Sequence, residues 1–408
     1  MKDRCQMLPF LNGVFVAVDA VPNAYLIVDG PYCVATKAEM QHCHNLKSEL
    51  IRPLGRSRVL HTAQSAVMEE VVGLSTDRLR PIERLFERVC GYPDADAVFT
   101  TSFDFHELLN FPLKDIARRF SALGRRPVLH IPSASLGGTW LDGYARFCET
   151  LAQGIPLPGR GSPGRQPLGR RRRPRTAAVV GYLFDRDEPD HAGNLSELRR
   201  LFSALGWRVA SVWLSGRGLE ELQEVARASV IVSLPYGRRA ARALARRNRV
   251  RLVELDLPLG LKRTKRFMES LGRALGQEAA SRRFVDQEAR AAARAVQAHI
   301  QRVISGRRAV IEVDDPHLEE ALADLCRELG LAVEEPSSRG DDGADDDRAP
   351  VLFGSTLSSD GGSIHVPVGY PDYADHPVLE RPYLGFSGFR HLVDRVAAAI
   401  LAFRGTGA

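Results

Sequence analysis

Cys33 is expected at the carboxyl end of a strand, at the head of a helix. The run Tyr25-Leu-Ile-Val-Asp-Gly30 reads as a short buried strand, Gly30-Pro31 breaks it, and Cys33 opens a helical run over 34–50. At a helix N-terminus the unsatisfied N–H groups and the macrodipole favour the thiolate, which is the form that binds soft metals. A second apolar run, 95–100, passes into Thr101-Ser102-Phe103-Asp104, so Ser102 and Asp104 occupy the same kind of strand end. Open parallel sheets hold their ligands outside the carboxyl ends of strands, which puts Cys33, Ser102 and Asp104 on one expected rim. Just beyond, His106 and Glu107 open a helix beside that rim; either is a candidate proton relay, with Asp104 as an N-cap the commoner alternative for its position.

Other reactive side chains group less well. Adjacent helical positions point about 100° apart, so His42-Cys43-His44 cannot converge on one metal unaided. His42 remains a catalytic candidate with Asp104 and His106. Cys148 and Cys326 fall on apolar helix faces and read as core. Asp314-Asp315-Pro316 reads as a strand-to-helix turn with an N-cap and Pro in the first turn.

The elements that must position these residues alternate between strand-like and helical runs. Strands are expected at 25–29, 95–100 and 127–131, with helices at 34–50, 81–89 and 111–123 between them, which argues for a parallel sheet with crossover helices. The same grammar recurs twice, from strands at 177–184, 207–213, 229–234 and 251–255, and again from strands at 309–313, 331–334, 351–354 and 363–368. The fold class is therefore α/β, with three Rossmann-like doubly wound domains. Their expected extents are 1–153, 176–277 and 306–408, joined by a Gly/Pro/Arg linker at 154–175 and a connecting helix at 278–305, with an acidic solvated loop at 339–348.

Composition narrows the function classes. A chain of 408 residues suits two to three domains of roughly 150 residues. No run of about 18 apolar residues exists to cross a bilayer and the first residues lack the apolar stretch of a secretory signal, so a cytoplasmic protein without a membrane partner is expected. The six cysteines are widely spaced without a Cys-x-x-Cys, unlike a secreted disulfide framework. The net charge of +6 is concentrated in Arg170–Arg175 and in the arginines of 238–251, which weighs against nucleic acid as the partner. No phosphate loop of the form G-x-x-x-x-G-K-[S/T] is present, so the chain is not expected to hydrolyse a nucleotide itself.

Read in order, several segments resemble the nitrogenase component 1 family, which includes the MoFe protein subunits, dark-operative protochlorophyllide reductase and the nickel-sirohydrochlorin reductive cyclase. Cys5, a small-residue spacer to Asn23, and Leu26-Ile-Val-Asp-Gly-Pro-Tyr-Cys33 match the family's first two cluster ligands. Phe99-Thr-Thr-Ser102 stands where the family writes Thr-Thr-Cys. Ile131-Pro-Ser through Gly143-Tyr144, Pro258-Leu-Gly260 with Thr264, and Val366-Pro-Val-Gly-Tyr-Pro371 followed by Pro382-Tyr-Leu-Gly-Phe-Ser-Gly388 match three further stretches.

The resemblance implies an oxidoreductase component that passes low-potential electrons from a separate P-loop, ATP-dependent iron protein to a substrate. It also implies pairing with a paralogous subunit and a shared iron–sulfur cluster, 4Fe–4S by type, with Cys5 and Cys33 as metal ligands and Ser102 at the third cofactor-binding position. Lys37, Glu39 and His42 would then border the subunit interface, where a reductase needs proton donors. Cys90 has a tempting spacing from Cys33 but is expected near the amino end of its strand, about 20 Å from Ser102. Two other readings stand beside the reductase: a noncatalytic scaffold or maturation subunit of the same superfamily, which Ser102 favours, and a cluster-free small-molecule-binding enzyme built from Rossmann units.

Overall fold

The computed structural model describes residues 9–43, 58–62, 78–108, 110–124, 126–157, 173–183, 189–334, 349–355, 362–370 and 379–406. Strands β1 (Ala24–Asp29), β2 (Val59–His61), β3 (Ala97–Ser102) and β4 (Val128–His130) form a sheet in the order β2-β1-β3-β4. Strands β5 (Thr176–Val180), β6 (Arg208–Val212), β7 (Val230–Ser233) and β8 (Arg251–Glu254) repeat that order, as do β9 (Arg308–Glu312), β10 (Ala332–Glu334), β11 (Val351–Gly354) and β12 (Ile364–Pro367). The pairings of the first and third sheets, and of β5 with β7, run parallel. In each sheet the chain leaves the first strand for one side and returns to the other, which creates a topological switch point between first and third strands. The α/β expectation thus holds for all three sheets. Among the described residues no helix is long and apolar enough to cross a membrane.

The chain folds into two compact units: residues 7–183 with 210–252, and residues 1–6 with 184–209 and 253–408. Most of the expected linker, residues 158–172, and the whole acidic loop 339–348 lie outside the described residues.

In the first unit, β1 is buried along its whole length and stops at Gly30. A Cβ on Gly30 would sit 2.8 Å from Phe103 Cβ and 3.1 Å from Val34 Cγ2, so only glycine lets the turn after β1 lie against the turn after β3. Position 102 closes β3, two residues later than the apolar run suggested, because the polar Thr101 and Ser102 are both buried and pair with Val28 and Asp29.

The stretch Phe10–Asp19, Phe-Leu-Asn-Gly-Val-Phe-Val-Ala-Val-Asp, is a helix that nothing in its β-branched composition announces. It is buried on almost every side and crosses the helix Trp140–Gly154 at main-chain contact. A Cβ on Gly13 would fall on the Trp140 carbonyl oxygen, and one on Gly143 on the Phe10 carbonyl oxygen. Thr139 and Asp142 close a capping box at the start of the second helix, whose Phe147 lies 4.4 Å, ring centroid to centroid, from Phe99 of β3. The crossing thereby fixes the first helix against the sheet.

In the second unit the segments that matched as separate motifs meet. Thr264 Oγ1 donates to Gly260 O at 2.6 Å and lies 3.0 Å from Pro258 O, Gly385 N donates to Pro258 O, and Leu259 bridges Leu384. Asn194 Oδ1 accepts from Tyr383 N and Leu384 N at 2.8 and 3.0 Å. Asp315 caps the helix Pro316–Leu329 through His317 N and Leu318 N, with Pro316 in its first turn, as the Asp-Asp-Pro signature implied. The expected connecting helix runs over Glu278–His299 and ends in a π-helical turn, Ile300–Ile304.

Replacing Gly13 by Ala is expected to cost about 3 kcal/mol or more, because main-chain atoms on the facing helix cannot rotate aside. Gly362→Ala, which meets open space, is expected to stay within about 0.5 kcal/mol. Denaturant unfolding of the two variants checks the contrast; equal stabilities would contradict the crossing.

Candidate functional site

The first switch point gathers most of the expected rim. Cys33 is the first residue of the helix Cys33–Cys43 and is exposed. Ser102, the last residue of β3, is directly paired with Asp29, the last residue of β1, and Phe103 N continues the ladder by donating to Asp29 O at 2.9 Å. Lys37 lies one turn along from Cys33 with Nζ 5.8 Å from the Phe103 ring centroid. The helix Asp104–Leu108 starts two residues after β3. Cys5, His44 and the side chains of Glu39, His42, Cys43 and Asp104 lie outside the described residues. By main-chain position His42 is nine residues along the helix that Cys33 begins, about 13 Å up its axis.

Cys90 ends the helix Leu79–Cys90 and packs against the apolar cluster of Tyr25, Val98 and Val128 on the flank of the sheet. Burial pushes its thiol up despite Arg126. Cys148 and Cys326 are fully buried, and burial pushes each thiol to about 12. Cys33 is thus the exposed thiol among the described residues.

Beneath the rim lies a buried charge that the sequence reading missed. Asp29 has no exposed surface, and its Oδ1 accepts from Thr62 Oγ1 and Arg78 Nη2, both at 2.7 Å, with His106 Nδ1 at 3.3 Å. Burial pushes the Asp29 carboxyl up, but the contacts with His106, Thr62 and Arg78 outweigh it and the net displacement is downward. Arg78 also stacks over Phe111 at 5.0 Å, and Thr62 Oγ1 accepts from Gly30 N at 3.3 Å. His106, a candidate relay beside the rim, is buried with its Nδ1 3.3 Å from Asp29 Oδ1. Asp29 was visible as an acid at the end of an otherwise apolar run; its partners come from segments with no pattern linking them to it.

Two more histidines sit at strand ends of this sheet. His61, at the end of β2, is buried with its ring edge-on to exposed Tyr32 at 5.3 Å, and burial lowers its pKa. His130, at the end of β4, is brought down to about 4 by burial, with a smaller push from Lys114.

The turn after β4 completes the site. Ser135 Oγ donates to Ser102 O at 2.9 Å and Ser135 N to Glu107 Oε2 at 3.0 Å, while Ser133 Oγ lies 2.9 Å from Ser102 O and 3.1 Å from Glu107 Oε2 and has one proton to share between them. Glu107 and the backs of the same turn, Ala134 and Leu136–Gly138, border a cavity of about 500 Å³ whose other walls come from the helix Trp140–Gly154 and from Pro235–Arg239. One turn therefore fixes the end of β3 on one side and shapes a chamber on the other. Among the described residues no three His, Cys, Asp or Glu side chains gather into a metal-binding group.

Known proteins share both the sequence pattern and the fold. A family model described as nitrogenase component 1 type oxidoreductase matches residues 12–360. A light-independent protochlorophyllide reductase subunit N from Halorhodospira halophila is 28% identical over 244 residues, covering 59% of this chain and 52% of that protein; the match spans about half the length of that relative. Among solved structures, nitrogenase Cp1 at pH 6.5 superposes with a TM-score of 0.75 at 15% identity, over 100% of this chain and 95% of the other. Nitrogenase Cp1 at pH 5 superposes with a TM-score of 0.63 at 12% identity, over 98% and 90%. At these identities the two structures speak for the fold.

Asp29→Asn removes the negative partner of Arg78 and is expected to destabilise the chain by about 3 kcal/mol at neutral pH. Because the folded-state pKa of Asp29 is depressed, the difference from wild type should persist above the ordinary carboxylate range and shrink as pH falls through it. Urea unfolding of both proteins across that range tests this. His130 gives the complementary limb: an unfolded histidine takes its proton near 6.5, so stability should fall between pH 6.5 and about 4. His130→Phe is expected to flatten that limb by up to about 1.4 kcal/mol per pH unit, read by the same unfolding series.

Proposed function

We propose, from the premise that this chain belongs to the nitrogenase component 1 type oxidoreductases, that it is one subunit of a reductase. In this reading it holds part of an iron–sulfur cluster at the first switch point and shares that cluster with a paralogous subunit. Electrons arrive from a separate ATP-dependent iron protein. The observation that carries the proposal is the exposed Cys33 thiol at a helix N-terminus, beside the strand end of Ser102.

The donors present fit a cluster completed from outside the described residues and do not fit one enclosed by them. Cys33 offers one soft sulfur donor, exposed at a helix N-terminus. Ser102 offers an oxygen, a harder ligand, and Cys5 is proposed as the second thiolate. When bound, an iron–sulfur cluster supplies low-potential single-electron transfer. The chain's own residues supply the setting. Gly30 lets the Cys33 turn lie against Phe103, Ser135 holds the carbonyl of Ser102, and Asp29 with its partners fixes the strand end beneath. Of the proton-relay candidates, Glu107 borders the cavity, whereas His106 serves Asp29 as a positioning residue. Asp104 and His42 keep their candidacy on main-chain position alone.

A noncatalytic scaffold subunit is the second reading, and it is favoured by the serine at 102, which gives the rim one thiolate fewer.

Iron and acid-labile sulfide in the anaerobically purified chain, co-expressed with its paralogous partner, separate the two. About four irons per heterodimer, lost in Cys33→Ala, is the expected result. Absence of iron in the wild-type pair would overturn the reductase reading and leave the scaffold.

A further inference from the structure

We propose that the cavity beside Glu107 binds a small organic anion with an apolar body, its acidic group held between Arg239 and Arg146. The volume of about 500 Å³ falls within the range of roughly 300–1,000 Å³ typical of small-molecule sites. Three acids and three arginines line it, but the two signs are not equally committed. Glu107 accepts from Ser135 N, Asp142 Oδ2 accepts from Thr139 N and Oγ1 at 2.9 Å each, and Glu149 Oε1 accepts from Gln153 Nε2 at 3.3 Å. Glu107 and Asp142 are thus tied to the protein, whereas Glu149 Oε2 is buried without a hydrogen-bond partner and has Arg146 as its ion-pair partner.

Arg146 and Arg239 retain donors. Arg238 gives Nη1 to Ser233 O at 2.6 Å, Arg146 pairs its Nη1 with Glu149 Oε2 at 3.6 Å without a hydrogen bond, and Arg239 makes no hydrogen bond or ion pair among the described residues. Guanidinium groups present planar pairs of N–H donors that match a carboxylate, sulfonate or phosphate. Arg239 lies in the first turn of the helix Arg238–Asn248, which has no side-chain cap and no acid there, so the helix's positive end adds to the same field. Phe10, Leu136 and Tyr236 supply apolar wall, and Leu136 is a large exposed side chain otherwise without a reason to face water. The arginine run of 238–251, too local in the sequence to indicate nucleic acid, thereby acquires a ligand-facing end.

Anion binding by the cavity is independent of any cluster; the identity of that anion as the molecule to be reduced rests on the function proposed above. Two fluorescent probes test the site on the full chain: 8-anilinonaphthalene-1-sulfonate, and N-phenyl-1-naphthylamine, which has the same rings without the sulfonate. The sulfonate is expected to bind saturably at one site per chain. Arg146→Gln with Arg239→Gln should weaken it at least about tenfold while leaving the neutral probe unchanged. Ala145→Trp, which fills the cavity from the middle of a helix, should abolish binding of both. Sulfonate binding that is unsaturable, or that survives the double arginine variant undiminished, would overturn the proposal, as would both probes binding the Ala145→Trp chain normally. Sulfonate binding in a chain that carries no iron would leave this site standing and remove the cluster, and iron without sulfonate binding would do the reverse.

Discussion

A carboxylate with no exposed surface organises the first switch point. Placing Asp29 out of water is unfavourable unless donors replace the lost hydration. Here Thr62, just beyond β2, and Arg78, the residue before the helix Leu79–Cys90, donate to Oδ1, and His106 of the helix after β3 stands 3.3 Å from the same oxygen, while Oδ2 is buried without a hydrogen-bond partner among the described residues. Each element that borders the Cys33 rim is therefore tied to one point. The main chain of Asp29 meanwhile accepts from Phe103, so the same residue fixes both the turn that leads to Cys33 and the turn that follows Ser102. Because this network lies beneath the rim, the thiol above it remains open to whatever approaches.

Comparison of the first two sheets shows what that carboxylate changes. In both, the residue after the third strand donates to the carbonyl of the last residue of the first strand: Phe103 to Asp29, and Leu234 to Val180. The first strand then runs into a glycine in each case. After β5, however, Gly181 is pressed against Gly237 so closely that a Cβ on either would meet the other's main chain. The second switch point is shut by backbone, and its last strand residue is the apolar Val180. The first is shut only from below, by side chains, and carries the thiol. One topology thus yields one packed crevice and one chemically equipped crevice, decided by a handful of residues at the strand ends.

Much of this was legible in the sequence, for identifiable reasons. Cys33 could be placed at the head of a helix because Gly30-Pro31 punctuates an apolar strand, and Asp315 could be read as a cap because Pro316 follows it. The three sheets were readable from alternation of short apolar and amphipathic runs. The helix Phe10–Asp19 was not, since full burial removes the one-sided periodicity that distinguishes a helix from a strand and leaves only a valine-rich composition. The Asp29 network was illegible because its donors lie 33 and 49 residues away for Thr62 and Arg78, with no local pattern to connect them. The cavity is assembled from Phe10, Glu107, one turn, one helix face and a segment nearly a hundred residues on, which no motif spans. The two compact units were hidden for the same reason: the helix Pro189–Ser203 follows β5 in the chain, yet it belongs to the unit that holds the third sheet.

The latch made by Asn194 and Glu197 with residues 383–387 bears on how the chain reaches this state. Asn194 receives hydrogen bonds from Tyr383 and Leu384, 189 and 190 residues away, and Glu197 receives one from Ser387 N at 3.2 Å. Gly193 and Gly385 allow the approach, since a side chain on the first would strike Arg381 and Pro382, and one on the second would strike Glu197. Loop closure over such a separation is offset only when the intervening chain is already compact. During synthesis the helix Pro189–Ser203 emerges long before its partner, and its polar side chains must wait in water until residues 383–387 leave the ribosome. Completion of the second unit therefore waits for residues 383–387, and a chain arrested short of residue 383 would carry the Cys33 rim without the latch.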